Sequence, residues 1–307
     1  MSKHLITIVG ATAIGKTALS IAIAKHFNTE ILSCDSRQFY KEMCIGTAVP
    51  STEELAQAPH HFIQNRSVFE DYSVGSFETD AIHTLDTLFK KHDIVVMVGG
   101  SGLYVDAVLK GLDNFPKVAP SIRKELKERL SKDGIATLQE QLKIVDPKTY
   151  AKIAIENPQR LIRALEICIG TGKPYASFLT DKAALRNFTA IKIGLTADRA
   201  IIYNRINQRV DLMFKEGLEA EARNLLKHKN LNALQTVGYR ELFSYFEGEI
   251  PLDVAIDEIK KNTRRFAKRQ GTWFRKDSEI EWFDYRERIG LILEHISSRL
   301  ENRTLLR

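Results

Sequence analysis

The stretch Gly10-Ala11-Thr12-Ala13-Ile14-Gly15-Lys16-Thr17 lies between the β-branched run Leu5-Ile6-Thr7-Ile8-Val9 and a segment in which Leu19, Ile23 and Phe27 recur every four residues. The run reads as a short strand and the four-residue spacing as one face of a helix. Strand, loop and helix in that order around G-x-x-x-x-G-K-[ST] predict a phosphate loop. Its glycines let backbone N–H groups turn toward one point, and the helix N-terminus adds partial positive charge. Lys16 adds a full charge, and the Thr17 hydroxyl can bind Mg²⁺. Two linked phosphates are the natural ligand of Gly10 through Thr17. The competing reading is a glycine-rich turn with a surface lysine.

Outward from this loop, Glu30-Ile31-Leu32-Ser33 reads as a second strand and Asp93 to Val98 as a third. Strands alternating with helical stretches predict an α/β fold: a P-loop NTPase-like parallel sheet core flanked by helices, with ligands at the carboxyl ends of the strands. From about Pro116 to about Asn187 the sequence turns charged and helix-forming, which predicts an all-helical insertion over 116–187 between core segments 1–115 and 188–307. Asp146-Pro147 and Asn157-Pro158 mark two helix starts, each a capping side chain before a proline at the first helical position. Ala190 to Leu195 then reads as a strand returning to the sheet. An Arg-rich helix from about Arg199, a loop around Gly238, a basic helix from about Asp253 and a last strand near Ile280 to Tyr285 complete the chain.

With 307 residues, 44% hydrophobic and 27% charged, the chain has the make-up of a folded globular protein rather than a disordered or fibrous one. Its three cysteines, Cys34, Cys44 and Cys168, match no zinc or redox spacing and suit a reducing compartment, so a cytoplasmic protein is expected. Apolar runs of about five residues are far short of the roughly 20 that span a bilayer. No cleavable signal is read at the N-terminus, and no membrane partner is expected. The net charge of +6 matters only where it clusters.

Several polar segments carry candidate chemistry. Ser33-Cys34-Asp35-Ser36-Arg37-Gln38-Phe39-Tyr40 follows the second strand, where the sheet should open toward the phosphate loop. Asp35 there can hold a metal-bound water, accept a proton, or simply cap the next turn. Gly99, Gly100 and Gly102 indicate close backbone approach to a ligand or to a neighbouring helix. Gln159, Arg160 and Arg163 open a helix that can bind an anion, or Arg163 can pair with Glu166. Arg199, Arg205 and Arg209 occupy the place of arginines that close over a leaving phosphate, or they lace a solvated helix with pairs such as Arg209 and Asp211. Lys260, Lys261, Arg264, Arg265, Lys268, Arg269, Arg275 and Lys276 are eight cations without an interleaved acid. At helical spacing Lys261, Arg265, Lys268 and Arg269 form a stripe suited to a phosphate backbone, with Phe266 and Trp273 expected to anchor the opposite side in the core; a solvated basic face is the alternative.

Ten ordered blocks give the chain a family resemblance. These are GATAIGKT at 10–17, SCDSRQFY at 33–40, IGTAVP at 45–50, PHHFI at 59–63, YSVGSFETDA at 72–81, VGGSGLY at 98–104, NPQRLIRALE at 157–166, RINQRVDLMFKEGL at 205–218, QTVGYRE at 235–241 and TRRFAKRQGTWFRK at 263–276. The chain resembles the tRNA dimethylallyltransferases, also called tRNA isopentenyltransferases. The resemblance implies transfer of a dimethylallyl group from dimethylallyl diphosphate to the exocyclic amine of the adenosine just 3′ of the anticodon in tRNA, with release of pyrophosphate and with Mg²⁺ present.

It also implies residue roles. Gly10 to Thr17, and Thr12 to Thr17 above all, hold the diphosphate, so the loop is a diphosphate cradle and ATP is not required. Arg209 closes over the diphosphate, and Lys16, Arg209 and the metal stabilise charge on the departing pyrophosphate. Asp35 orients or deprotonates the amine. Asp35, Ser36, Arg37 and Gln38 meet the target nucleotide, and Ser101, in a catalytic position, and Arg123 sit at tRNA contacts. Gln159, Arg160, Leu161, Ile162 and Arg163 belong to the RNA-binding insertion. Gln235, Thr236, Val237, Gly238, Tyr239 and Arg240 face the tRNA, and Arg265 and Arg269 on the stripe join them. The tRNA anticodon stem-loop is the expected partner, its adenine flipped into a channel between core and insertion. Nothing demands more than a monomer. Three departures from the family pattern are Ala11 for Pro, Ile14 for a small polar residue at the loop tip, and Ser101 for Thr.

Three rivals remain at this stage. An adenylate isopentenyltransferase shares core and donor but needs neither insertion nor stripe. A phosphate-loop kinase using Asp35 as base leaves the cation cluster unexplained. An RNA-binding protein with a relict loop conflicts with intact Gly15, Lys16, Thr17 and Asp35.

Overall fold

Seven consecutive residues of strand β1 (His4–Gly10) are buried, because the strand is paired on both edges and covered on both faces. The structure, a computed structural model, describes residues 2–180 and 184–304. Residues 1, 181–183 and 305–307, which fall within the expected core and insertion, lie outside the described residues. The other strands are β2 (Ile31–Ser33), β3 (His60–His61), β4 (Ile94–Val98), β5 (Thr189–Thr196) and β6 (Glu281–Asp284). They form one six-stranded parallel sheet in the order β3-β2-β4-β1-β5-β6. Helices flank it, so the fold is the expected α/β parallel sheet. β3 carries no readable pattern at two residues and was not expected.

Alternation along β1 builds two cores. Leu5 and Val9 pack with Leu32, Phe39, Phe77, Val95 and Met97 on one face, and Ile6 and Ile8 pack with Leu19, Ile23, Val96, Ile191 and Ile193 on the other. Full burial of each such side chain contributes about 1.5–3 kcal/mol. A one-residue slip would exchange the faces and undo the packing on both, so burial fixes the register. Gly10, at φ 146°, ends β1; a β-carbon there would lie 2.6 Å from the Leu195 carbonyl oxygen, so only glycine lets the chain leave the sheet against β5. Ile14 is 1% exposed and joins the core under the loop rather than standing at its tip, which accounts for that departure as a packing wedge.

The first compact unit comprises Met1–Lys110 and Leu185–Arg307, and the second Gly111–Ala184. The second starts and ends a few residues earlier than the insertion read at 116–187. It contains helices Pro120–Asp133, Ile135–Val145, Pro147–Lys152 and Pro158–Thr171 around Leu126, Leu138, Leu142, Leu161, Ile162 and Leu165. Both marked helix starts are capped. The Asp146 carboxylate accepts the Thr149 N–H at 3.0 Å and the Thr149 hydroxyl at 2.6 Å, and Asn157 Oδ1 accepts the Gln159 N–H at 3.0 Å.

The basic helix, Leu252–Phe274, corrects two expectations. Its inward face is Ala255, Ile259, Ala267, Gln270 and Phe274, whereas Phe266 and Trp273 are 36% and 38% exposed and do not anchor it. Ala267 is small enough to pack against Ala11 and Ala13 of the phosphate loop, and this close approach turns the larger rings outward. Part of the cation cluster is also neutralised by acids its own segment lacks. Lys260 pairs with Asp211 of the helix Arg199–Lys215 at 2.6 Å, and Lys261 pairs with Glu258 one turn earlier, also at 2.6 Å. Arg265, Lys268 and Arg269 have no carboxylate partner among the described residues.

Candidate functional site

Parallel pairing brings the carboxyl ends of β1, β2 and β4 side by side, and the loops leaving them converge there. The loop after β1 runs through Thr12 and Ala13 into the helix Lys16–His26. Lys16 Nζ folds back onto it, donating to the Ala11 carbonyl at 2.8 Å and the Gly10 carbonyl at 3.1 Å. Burial lowers the Lys16 ammonium to about 8; the Asp35 carboxylate opposes this shift and the Arg209 guanidinium adds to it.

The helix Arg199–Lys215 supplies the facing cations. Arg209 Nη1 donates to the Thr12 hydroxyl at 3.2 Å, and Arg205 Nε to the Ala13 carbonyl at 2.7 Å. Arg209 is therefore not paired with Asp211, which Lys260 holds. Burial lowers the Arg209 guanidinium from its ordinary value, with Arg205 adding to the effect and Asp35 opposing it. Three strong donors around one loop can hold an anion. Thr17 lines the same space, and its hydroxyl has no hydrogen-bond partner among the described residues.

After β2, Asp35 Oδ1 accepts the Arg37 N–H at 3.0 Å, so the carboxylate caps its turn and still faces the open space. The Ser101 hydroxyl accepts the Ser36 N–H at 3.0 Å and donates to the Ser36 hydroxyl at 3.1 Å. Ser101 thus stands behind Ser36 and lines neither cavity described below. The three glycines beside it meet close neighbours within the chain. A β-carbon on Gly99, Gly100 or Gly102 would approach Cys34, Gln270 or Trp273 to 2.1–2.3 Å. Gln38 Nε2 donates to the Thr47 and Ala48 carbonyls at 3.3 and 2.9 Å and holds the wall opposite.

Two cavities open from this junction. The first, about 660 Å³, is lined by Thr12 to Ala18, Ser33, Asp35, Gln38, Arg205 and Arg209, with Ile45 and Thr47 to Thr52 on its far wall. The second, about 300 Å³, is lined by Ser36, Arg37, Gln235 to Gly238, Arg240, Phe266 and Arg269. They share Thr12, Asp35, Thr47, Ala48, Arg209 and Met213. One cavity is walled by the loop after β1 with Lys16, Arg205 and Arg209, the other by polar groups, arginines and an aromatic ring, and a single carboxylate, Asp35, belongs to both.

Other expected residues lie elsewhere. Tyr239 is fully buried, its hydroxyl donating to Glu221 Oε1 at 2.6 Å, so of its segment Gln235 to Gly238 and Arg240 reach the second cavity and Tyr239 does not. Arg265 is exposed and donates to Asn262 Oδ1 at 3.2 Å. Arg123, Gln159, Arg160 and Arg163 belong to the helical unit. Arg163 and Arg123 flank Glu166 at 3.1 and 3.7 Å, so the intrahelical pair weighed for Arg163 is made. Gln159 and Arg160 are exposed, whereas Leu161 and Ile162 are core residues at 0% and 1% exposure whose side chains cannot meet RNA.

Sequence reading missed Gln270 and Glu221. Gln270 bonds the loops after β1 and β4. Glu221 Oε2 accepts the Cys44 and Ile45 N–H groups at 2.8 Å and Oε1 accepts the Gly46 N–H at 2.9 Å, pinning the wall Ile45–Ala48. Gln270 stood inside the block 263–276 read for its cations, and Glu221 lay outside every block.

Comparison with known proteins places these features in context. A family model described as IPP transferase matches residues 38–277. A protein of Christiangramia forsetii named tRNA dimethylallyltransferase is 61% identical over 300 residues, covering 98% of this chain and 99% of that one. The crystal structure of the full-length tRNA isopentenylpyrophosphate transferase from Bacillus halodurans matches with a TM-score of 0.75 at 37% identity, covering 99% of both chains. A eukaryotic dimethylallyltransferase captured acting on tRNA matches with a TM-score of 0.78 at 25% identity, over 92% of this chain and 74% of that one.

Proposed function

Because the chain belongs to the IPP transferase family, we propose that it transfers a dimethylallyl group from dimethylallyl diphosphate to the exocyclic amine of the adenosine immediately 3′ of the anticodon in tRNA, releasing diphosphate. The observation that carries this reading is the pair of cavities meeting at Thr12, Asp35 and Arg209. The first takes the diphosphate and its short apolar tail, and the second takes the adenosine with its neighbours.

In the first cavity Lys16 turns from its own carbonyls to the diphosphate, and Arg209 and Arg205 neutralise the far side. As the C1–O bond of the donor lengthens, negative charge gathers on the leaving diphosphate. Lys16 and Arg209 stabilise that charge more strongly than the ground state, which is the condition for accelerating the step. The amine nitrogen forms its bond to C1 from the side of the second cavity, and Asp35 orients the amine and takes its proton. Ser101 acts through Ser36, fixing the backbone beside Asp35. Gln235 to Gly238, Arg240 and Arg269 face the nucleotides around the adenine, and Arg265, Arg123, Gln159, Arg160 and Arg163 meet the phosphate backbone.

Mg²⁺ is part of this proposal. Among the described residues no three His, Cys, Asp or Glu side chains gather as a protein cage. The Thr17 hydroxyl and the Asp35 carboxylate line the phosphate cavity as hard oxygen donors, the sparse set that suits Mg²⁺ when substrate phosphates and water complete its shell. When bound, the ion supplies charge neutralisation to the diphosphate. A monomer is the proposed state. No helix among the described residues is long and apolar enough to cross a membrane; with a tRNA substrate and three free cysteines, the cytoplasm is the proposed setting.

The test is direct. Purified protein with tRNA, Mg²⁺ and labelled dimethylallyl diphosphate is expected to label an adenine, and Lys16→Ala and Asp35→Ala to abolish labelling. Label on AMP but never on tRNA would overturn the assignment.

A further inference from the structure

Building on that reading, we propose that Gln270 is a positioning residue for Lys16, acting through the Ala11–Thr12 peptide of the diphosphate loop. Gln270 sits among the cations of the helix Leu252–Phe274, yet it points inward and is 5% exposed. Its Oε1 accepts the Thr12 N–H at 2.8 Å and its Nε2 donates to the Gly100 carbonyl at 2.9 Å. The amide accepts on its oxygen and donates from its nitrogen, so its two ends can bond two different loops at once. Here one half serves the loop after β1 and the other the loop after β4. A β-carbon on Gly100 would lie 2.2 Å from Nε2, so the backbone opposite has been kept bare for this amide.

The Thr12 N–H and the Ala11 C=O belong to the same peptide unit. That unit is planar and trans, so fixing the direction of its N–H fixes the direction of its C=O on the opposite side. The Ala11 carbonyl accepts the Lys16 ammonium at 2.8 Å. Gln270 therefore sets, across one rigid plane, where the Lys16 charge stands before the diphosphate arrives. The Thr12 side chain extends the effect, because its hydroxyl receives Arg209 Nη1. Without Gln270 the Thr12 N–H loses its partner and the peptide is free to rotate, and the cations meant for the donor lose their common reference.

Wild-type, Gln270→Met and Gly100→Ala enzymes are compared in the transfer assay with donor and tRNA varied separately, and by calorimetric binding of inorganic pyrophosphate with Mg²⁺. Gln270→Met keeps the shape and removes both hydrogen bonds. Gly100→Ala displaces the same amide from the other side. Both are expected to raise the donor KM and weaken pyrophosphate binding by about tenfold or more, the scale of losing one charge-orienting hydrogen bond, while the KM for tRNA stays within about twofold. Pyrophosphate binding and donor KM unchanged in Gln270→Met overturn the proposal. So does a parallel rise of both KM values with a collapsed melting transition, since that marks a packing role. If Gln270→Met does not fold, Gly100→Ala decides on the same criteria. A wild-type enzyme that binds pyrophosphate but labels no tRNA counts against the transfer reading and leaves the calorimetric comparison to judge Gln270.

Discussion

Donor capture is expected to weaken as pH rises past about 8, with Lys16 as the cause. Burial displaces the ammonium from 10.5 to about 8, which at about 1.4 kcal/mol per pH unit is about 3 kcal/mol held against the charged form in the empty loop. A diphosphate favours the ammonium, so above that pH binding must take up a proton. At saturating tRNA the kcat/KM for donor reports the tRNA-bound enzyme before donor enters the loop. It holds steady just below pH 8 and falls roughly tenfold per pH unit above it, because one unit above the midpoint only about a tenth of the molecules carry the charge. Stability of the unliganded enzyme moves the other way. The folded chain releases this proton near 8 and the unfolded chain near 10.5, so the penalty is full below pH 8 and is relieved as pH climbs between the two. The assay is kcat/KM for donor at saturating tRNA from about pH 7 to about pH 9.5, with pyrophosphate calorimetry in buffers of different ionisation enthalpy to count the proton. A flat profile without proton uptake at about pH 9 would refute the reasoning.

Asp35→Asn should retain the cap on the Arg37 N–H but lose the proton acceptor, so kcat falls by about 10²–10⁴; a kcat within about tenfold of wild type would remove Asp35 from the chemistry. Charge reversal at Arg265 and Arg269 together should flatten the dependence of tRNA affinity on salt, by about 0.9 in log–log slope for each phosphate no longer neutralised. An unchanged slope would mean that this face meets only solvent. Glu221→Ala strips the partner from three backbone N–H groups and the Tyr239 hydroxyl. Urea unfolding should show a loss of about 3 kcal/mol or more, and a loss below about 1 kcal/mol would show that water or neighbours replace the carboxylate.

What the sequence revealed about this protein follows the range of the interactions involved. β1, the phosphate loop and its helix are written in adjacent residues, and so are the caps at Asp146 and Asn157, because each depends on spacings of two to four positions. The strand β3 was missed because two residues carry no period. Phe266 and Trp273 were placed inside because a helix pattern does not say how closely a neighbour approaches, and Ala267 against the loop alanines decided that question. Leu161 and Ile162 entered the RNA-facing set with their block, although their faces of the helix belong to the core. Gln270 and Glu221 were invisible for a different reason. Their partners lie 258 and about 175 positions away, and only the folded chain brings them together.

The placement of β5 has a consequence for how the chain is made. β4 joins β1 on one side within the first hundred residues, but β5, its neighbour on the other side, begins at Thr189, after the entire helical unit. At about 5–20 residues per second, a ribosome leaves that edge of the central strand bare for roughly 5–20 s. An open apolar edge is a template for pairing with other chains. Nascent chains halted before Thr189 are therefore expected to aggregate more readily than the completed chain.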